Sequence, residues 1–324
     1  MPIILTPVAP PEVIGLSTLG ASTGMYRRRI AEETGNFVAS VVTTASTTFL
    51  QDRRYPVRSN LDQSDLYAGK WLLRPRAASE DDRVRVVQER GYSPSTGELR
   101  PDSPWSDAPV TGEPYELHGV IEPWGQMLDL INEALKRCLL VDHLVLPIAP
   151  DVHTIDLTPY APWLLDRRWV RGAAFVDPTQ YDDPAQVDMT SQATFRGFVE
   201  QHGRSLLLRW QNTPWQAQQV LVVRCIRRSY DYCRENDQGV FGERSGLVAE
   251  DNESLAAADW VAAAAMVDFW NEFGDVVAAG NRQEAEANQS KWAAVFSSLT
   301  QQYFSLPPYT LLAPIKAGWG AGWY

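Results

Sequence analysis

The sequence predicts an α+β protein: antiparallel β modules of sandwich or barrel-like form, a small helical bundle, and an extended arm at each end. Three observations predict it. Residues 36–120 and 141–249 carry short strand-like runs divided by clusters of Pro, Gly, Asp and Ser, the spacing of antiparallel sheets. Three other stretches repeat apolar residues every three or four positions, the helical period. Both ends, 1–21 and 306–324, are apolar, rich in proline and without any period. A chain of 324 residues that is 44% apolar has enough material for about two domains with sizeable cores.

The elements follow in order. "MPIILTPVAPPEVIG" is broken by prolines and has no basic stretch ahead of an apolar one, so 1–21 reads as an extended arm and not a signal peptide. Ser22 to Gly35 reads as a short helix, capped by Ser22 or Thr23 and ended by Gly35. The Val- and Thr-rich run from Asn36 to Leu50 reads as one strand. Further strands start at Gly69, Arg83 and Glu113, with polar turn clusters such as "SPSTGELRPDSPW" between them. Residues 22–120 are thus a short helix plus a small β module.

An amphipathic helix fills 121–140. Pro123 stands at its first position, where a missing amide hydrogen costs nothing. Trp124, Met127, Leu128, Ile131, Leu135 and Leu139 form its apolar stripe. Asp129, Asn132, Glu133, Lys136 and Arg137 lie off the stripe and offer nothing that chemistry obviously needs. Six short runs between 141 and 249, from "HLVLPI" to "QQVLVVRC", make a second β-rich domain, a sandwich or a barrel. Residues 250–305 read as a helical hairpin packing with helix 121–140. Its first helix is capped by Asp251 or Ser254 and ended by Gly274; its second runs from Arg282 to Tyr303.

Charge and cysteines narrow the function classes. The net charge is −11, and residues 231–324 hold 13 Asp and Glu against 5 Lys and Arg. Gripping phosphates is work for Lys and Arg, so specific nucleic-acid binding is a poor fit; an acidic face instead suits DNA that must slide without sticking. Cys138, Cys225 and Cys233 are odd in number and lack metal-ligand spacing, which reads as reduced thiols in a chain assembled in cytosol. No run of 18 apolar residues exists, so no membrane span is expected. Twelve tryptophans point to anchors at interfaces.

The motifs that carry chemistry are weak. "GASTG", Gly20 to Gly24, matches the nucleophile-elbow pattern, but no alternation of strand and helix surrounds it, and a helix N-cap at Ser22 is the plainer reading. His118, His143, His153 and His202 form no ligand pair; His118 and His153 read as partly exposed β residues. "SEDDR" (79–83) and "YDDPAQVD" (181–188) read as solvated loop tips, lacking the glycine and closing glutamate of a calcium loop. The arginine runs at 27–29, 53–54, 167–168 and 227–228 read as surface salt bridges or, alternatively, contacts between subunits. "NES" and "NQS" fall in predicted helices and are set aside as glycosylation sites. No catalytic, cofactor-binding or metal-ligating set emerges, and the chain is expected not to be an enzyme.

Two stretches carry a resemblance. "IEPWGQMLDLINEALKRC" is similar to the I-N-x-A-L helix of head–tail connector and neck proteins of tailed bacteriophages. The β segment from Tyr67 to Gly119, with its G-x-W, R-x-R-x-V, T-G-x-L and G-E-x-Y-E-L pieces, resembles the one that often precedes that helix in predicted virion proteins. The match covers about Tyr67 to Cys138, and the remainder in general layout.

The resemblance implies a non-enzymatic virion protein, a head–tail adaptor or neck component. It would form a homo-oligomeric ring, normally of twelve copies, bind the portal and a further neck or tail protein, and let double-stranded DNA through. Assembly would take place in the host cytoplasm. A tail-tube, tail-hub or baseplate part is the alternative, and a β-rich hydrolase of host-surface polysaccharide a third. Glu250, Asp251, Asp259, Asp268, Glu272, Asp275, Glu284 and Glu286 are candidates to face the channel. In the C-terminal arm, Tyr309, Leu311, Leu312, Ile315, Trp319, Trp323 and Tyr324 are candidates for the contact with a neighbour or partner, since an apolar patch this large marks a contact site.

Overall fold

The computed structural model describes residues 21–34, 37–53, 64–119, 121–147, 152–176, 197–210, 220–236, 238–239 and 242–304. The expectations for the C-terminal arm, and for all but the last residue of the N-terminal one, lie outside these residues. The fold is α+β, with four helices and antiparallel strands in several sheets.

Strand β1 (Ala21–Ser22) leads into helix α1 (Thr23–Thr34). The Ser22 hydroxyl accepts from the Met25 amide at 3.3 Å, the cap read from the sequence. The first β module is a seven-stranded antiparallel sheet. Its strands are β2 (Val38–Val41), β3 (Thr44–Ser46), β4 (Phe49–Gln51), β5 (Trp71–Leu73), β6 (Val84–Ser93), β7 (Glu98–Pro101) and β8 (Pro114–His118). Their order is β2-β8-β5-β6-β7-β4-β3.

The single strand expected over 36–50 is therefore three. The hairpin between β3 and β4 turns on Thr47–Thr48, which carry no glycine or asparagine to announce it. Strand β7 was hidden inside a polar stretch; of its two central residues only Leu99 points inward. Strand β6 serves both halves of the sheet, pairing with β5 early and β7 late, with a register shift between Val87 and Tyr92. Arg90, at φ 53°, sits in that irregularity. The edge strands β2 and β3 are joined by only Val42 and Thr43, so the sheet curls back on itself. Among the described residues the two edges do not pair, and no barrel closes. Leu50, Leu72, Val87, Leu99, Trp105, Tyr115 and Leu117 fill the curl.

Helix α2 (Gly125–Arg137) follows, with Met127, Leu130, Ile131, Ala134 and Leu135 buried. Pro123 lies just before the helix; the Glu122 carboxylate accepts from the amides of Trp124 (2.7 Å) and Gln126 (3.1 Å) and satisfies its open start. Leu139, expected on the helical stripe, is exposed at the start of the next strand.

The second β module is a sandwich. Strands β9 (Leu139–Pro147), β11 (Val170–Val176) and β14 (Val220–Arg228) form one sheet in the order β11-β14-β9. Strands β10 (Thr154–Asp156), β12 (Gly197–His202) and β13 (Ser205–Trp210) form the other, in the order β10-β13-β12. Leu146, Phe175, Leu221 and Val223 of the first pack with Val199, Leu208 and Trp210 of the second.

Strands β15 (Cys233–Arg234) and β16 (Glu253–Ser254) join β1 in a small sheet, β1-β16-β15. A helix cap at Asp251 or Ser254 was expected here. Instead β16 intervenes, the Ser254 hydroxyl is buried 2.6 Å from that of Ser229, and α3 (Ala258–Val277) starts after Ala257. Helix α3 also runs past Gly274. That glycine lets α4 (Arg282–Phe304) approach: a Cβ there would lie 3.3 Å from the Ala285 methyl. The turn is made by Gly280, at φ 80°. One apolar core holds Tyr26 and Ile30 of α1, Ile131 and Leu135 of α2, Trp260, Met266 and Phe269 of α3, and Trp292 of α4. Helix α1 is thus packed into the helical unit. No described helix is long and apolar enough to cross a membrane.

Candidate functional site

Two features stand out from the residues upward: a buried ionic joint between the curled sheet and the helical unit, and an acidic groove between α2 and α3.

The joint is built on Arg27, 1% exposed on the inner face of α1. Its guanidinium bridges two carboxylates. Glu116 of β8 takes Nε and Nη2, each at 3.0 Å; Glu250, ahead of β16, takes Nη1 at 2.5 Å and Nη2 at 3.0 Å. The fully buried Glu116 also accepts from Arg28 Nε at 2.7 Å and from His118 Nε2 at 3.0 Å. Burial alone would raise the Glu116 carboxyl, but hydrogen bonds from His118, Arg27 and Arg28 outweigh it and hold the group far below the usual carboxylate range. Burial pushes the His118 imidazole down, and Arg27 adds to this against the opposite pull of Glu116 and Glu122. Glu116 and His118 stand two apart on one strand and so share a face, which α1 covers.

The joint corrects two expectations. His118 is buried, not partly exposed. Arg27 is neither a surface salt bridge nor a contact between subunits; it ties two modules of one chain together. Arg227 is likewise buried, paired with Asp142 at 3.2 Å and lying over the rings of Trp163 and Tyr232. Arg168, by contrast, is an exposed pair with Asp166. His143 is buried too, its Nε2 3.1 Å from Arg224 Nε, while His153 and His202 are exposed. The alternation of Glu116 and His118 with the apolar Tyr115 and Leu117 on β8 was the available signal for a polar face on that strand; nothing in the sequence named Arg27 as its partner.

The groove, about 440 Å³, lies between α2 and α3. Asp129, Glu133, Lys136 and Arg137 line it from α2, and Asp268 and Glu272 from α3, over Leu130 and Phe273. Both acidic pairs stand four apart on their helices, one face each. Four of the five off-stripe polar residues of helix 121–140 are therefore half of a surface, a role that a single helix does not announce; the fifth, Asn132, donates to the Leu247 carbonyl and accepts from its amide, each at 2.9 Å.

The acidic candidates are distributed. Asp268 and Glu272 line the groove, but Asp268 is half-buried against Arg137 at 2.5 Å. Asp259 pairs with Arg29 at 3.0 Å, Glu250 with Arg27, and Glu286 with Arg282 at 2.8 Å. Glu284 accepts from Asn281 at the start of α4. Asp251 and Asp275 are exposed. The candidates of the C-terminal arm lie outside the described residues, as does the acidic run 181–188.

Other motifs resolve into structure. In "SEDDR", Asp82 is buried, not solvated. It accepts from the Ser106 hydroxyl (2.5 Å) and from the amides of Ser106 and Asp107 (3.0 Å each). Burial would raise that carboxyl, but the Ser106 bonds carry it down to about 2. In "NES", Asn252 is not helical: it is buried, accepting from Val248 and Ala249 and donating to Glu235. Burial pushes the thiols of Cys138 and Cys233 up to about 12, so neither is a ready nucleophile. Among the described residues no His, Cys, Asp and Glu cluster has the arrangement of a metal site. In the comparisons with known proteins, no family model, curated protein or solved structure matches the chain.

Proposed function

We propose that the chain is a structural virion protein of a tailed bacteriophage, a head–tail adaptor or neck subunit that assembles into a ring below the portal. The carrying observation is the segment from Tyr67 to Cys138. The stretch that resembles connector proteins spans β5 to β8 and α2, whose apolar face is central to the helical core. A ring subunit needs its modules held at fixed angles, and the Arg27 joint supplies that stiffness between sheet and helices. Exposed carboxylates on the helical unit, Asp251, Glu272, Asp275 and Glu284, give it a surface to which a DNA phosphate backbone would not adhere.

The presence of two β modules with separate cores also favours a second reading, a tail-tube, tail-hub or baseplate part. Cryo-electron microscopy of virions carrying a tagged chain separates the two. Density between the capsid vertex and the tail is expected. Density at the distal tail favours the second reading. Absence from virions, together with turnover of a surface polysaccharide by the purified chain, would overturn both.

A further inference from the structure

We infer that the chain carries an acid-opened joint, in which protonation of His118 unlocks the curled sheet from the helical unit. The ions around the His118 ring fix its tautomer. Glu116 is held ionised by Arg27 and Arg28, and an ionised carboxylate only accepts; His118 Nε2 therefore carries the proton. That leaves Nδ1 as a bare lone pair, and it is buried with no hydrogen-bond partner. The crevice beside the ring, lined by Ala31, Thr34, Phe37, Gly119, Ile121 and Met127, is too narrow to admit water, and the Thr34 hydroxyl in it donates to the Ala31 carbonyl at 3.0 Å. A proton added at Nδ1 would thus be a buried donor with nothing to receive it, a costly state that opening relieves.

The charge around the ring gives the same answer. Arg27 and Arg28 of α1 face Glu116 of β8 and Glu250 ahead of β16, two positive charges against two negative. Glu122, before α2, is the further carboxylate acting on the ring. Glu116 and Glu122 favour a protonated imidazole, but burial and Arg27 oppose it and prevail. His118 is therefore neutral in the closed joint. Its ordinary value is 6.5, so the closed state is fully favoured above that pH and loses ground as the pH falls below it. Glu116 acts in the same direction, but only below its own ordinary value of 4.5. Between these two values the response belongs to His118.

Hydrogen exchange of the full chain, corrected for intrinsic rate, tests this in segments 21–34 and 114–137. From about pH 7.5 to about pH 5, protection there should fall roughly tenfold or more, since one proton contributes up to about tenfold per pH unit. His118→Gln keeps a donor towards Glu116 and cannot titrate, and its joint should keep its protection over the same range. The wild type and the variant are the proper comparison, because every other titratable group is common to both. Unchanged protection in the wild type, or an equal loss in the variant, would overturn the inference. Should the variant not fold, nitrogen-15 spectra of histidine-labelled wild type decide. Protonation of His118 together with loss of joint protection supports the inference, and protonation with the joint still closed contradicts it.

Discussion

The two β modules are fastened to the helical unit by different physics. The curled sheet is tied by Arg27 clasped between the carboxylates of Glu116 and Glu250, with Arg28 and His118 completing a cluster of charged and titratable groups. At the foot of the sandwich, Arg227 has one ion pair with Asp142, donates to the Asp231 carbonyl, and spends its faces on Trp163 and Tyr232, 4.6 and 4.5 Å away. In the first joint Arg27 is held mainly by carboxylates, with the Trp124 ring farther off, at 6.0 Å. In the second, the ring contacts persist whatever the state of Asp142, whose carboxyl burial has already pushed up. The contrast teaches that a buried arginine can be a switchable clasp or a permanent one, according to whether its neighbours titrate.

Substitutions can break this comparison. Arg27→Met should have the largest effect, about 3–5 kcal/mol of unfolding stability in a denaturant titration, because it removes two of the four hydrogen bonds to the fully buried Glu116 and both of those to Glu250. Arg227→Met should cost less, about 2–3 kcal/mol, because Asp142 can take up a proton while the rings still pack. Equal losses would erase the distinction. Next comes the acid limb. The Glu116 carboxyl is held below its ordinary 4.5, so its contribution is present above that pH and shrinks as the pH falls further. In Glu116→Gln the stability lost below about pH 4.5 should be smaller than in the wild type, by up to about 1.4 kcal/mol per pH unit. The smallest effect belongs to Asp259→Asn. Its pair with Arg29 is exposed on both sides and screened by solvent, so the change should stay under about 0.5 kcal/mol.

Much of the fold was legible where a local pattern carried it. Helix α2 was visible because Met127, Ile131 and Leu135 repeat on one face, and α4 because Trp292, Val295, Phe296 and Leu299 do the same. The sequence was silent where partners lie far along the chain. Nothing local marks Thr47–Thr48 as a hairpin, or Glu98 to Pro101 as a central strand; what holds β4 and β7 in place is their pairing with each other across the module, Leu50 opposite Leu99. The helix start after Ala257 was misplaced because Ser254, a good cap in isolation, is taken into β16 and held by Ser229. The joint was the least legible feature. Its members are 89 residues apart for Arg27 and Glu116 and 223 for Arg27 and Glu250, and an arginine in a polar run gives no sign that it will be buried.

Electron microscopy of the purified chain tests ring assembly most directly. Closed rings are expected, about twelve subunits each by the connector resemblance, with Glu272 and Glu284 among the side chains turned to the lumen. A population that stays monomeric at all concentrations, or rings whose lumen is lined by the sandwich with the α3–α4 carboxylates facing outwards, would contradict it.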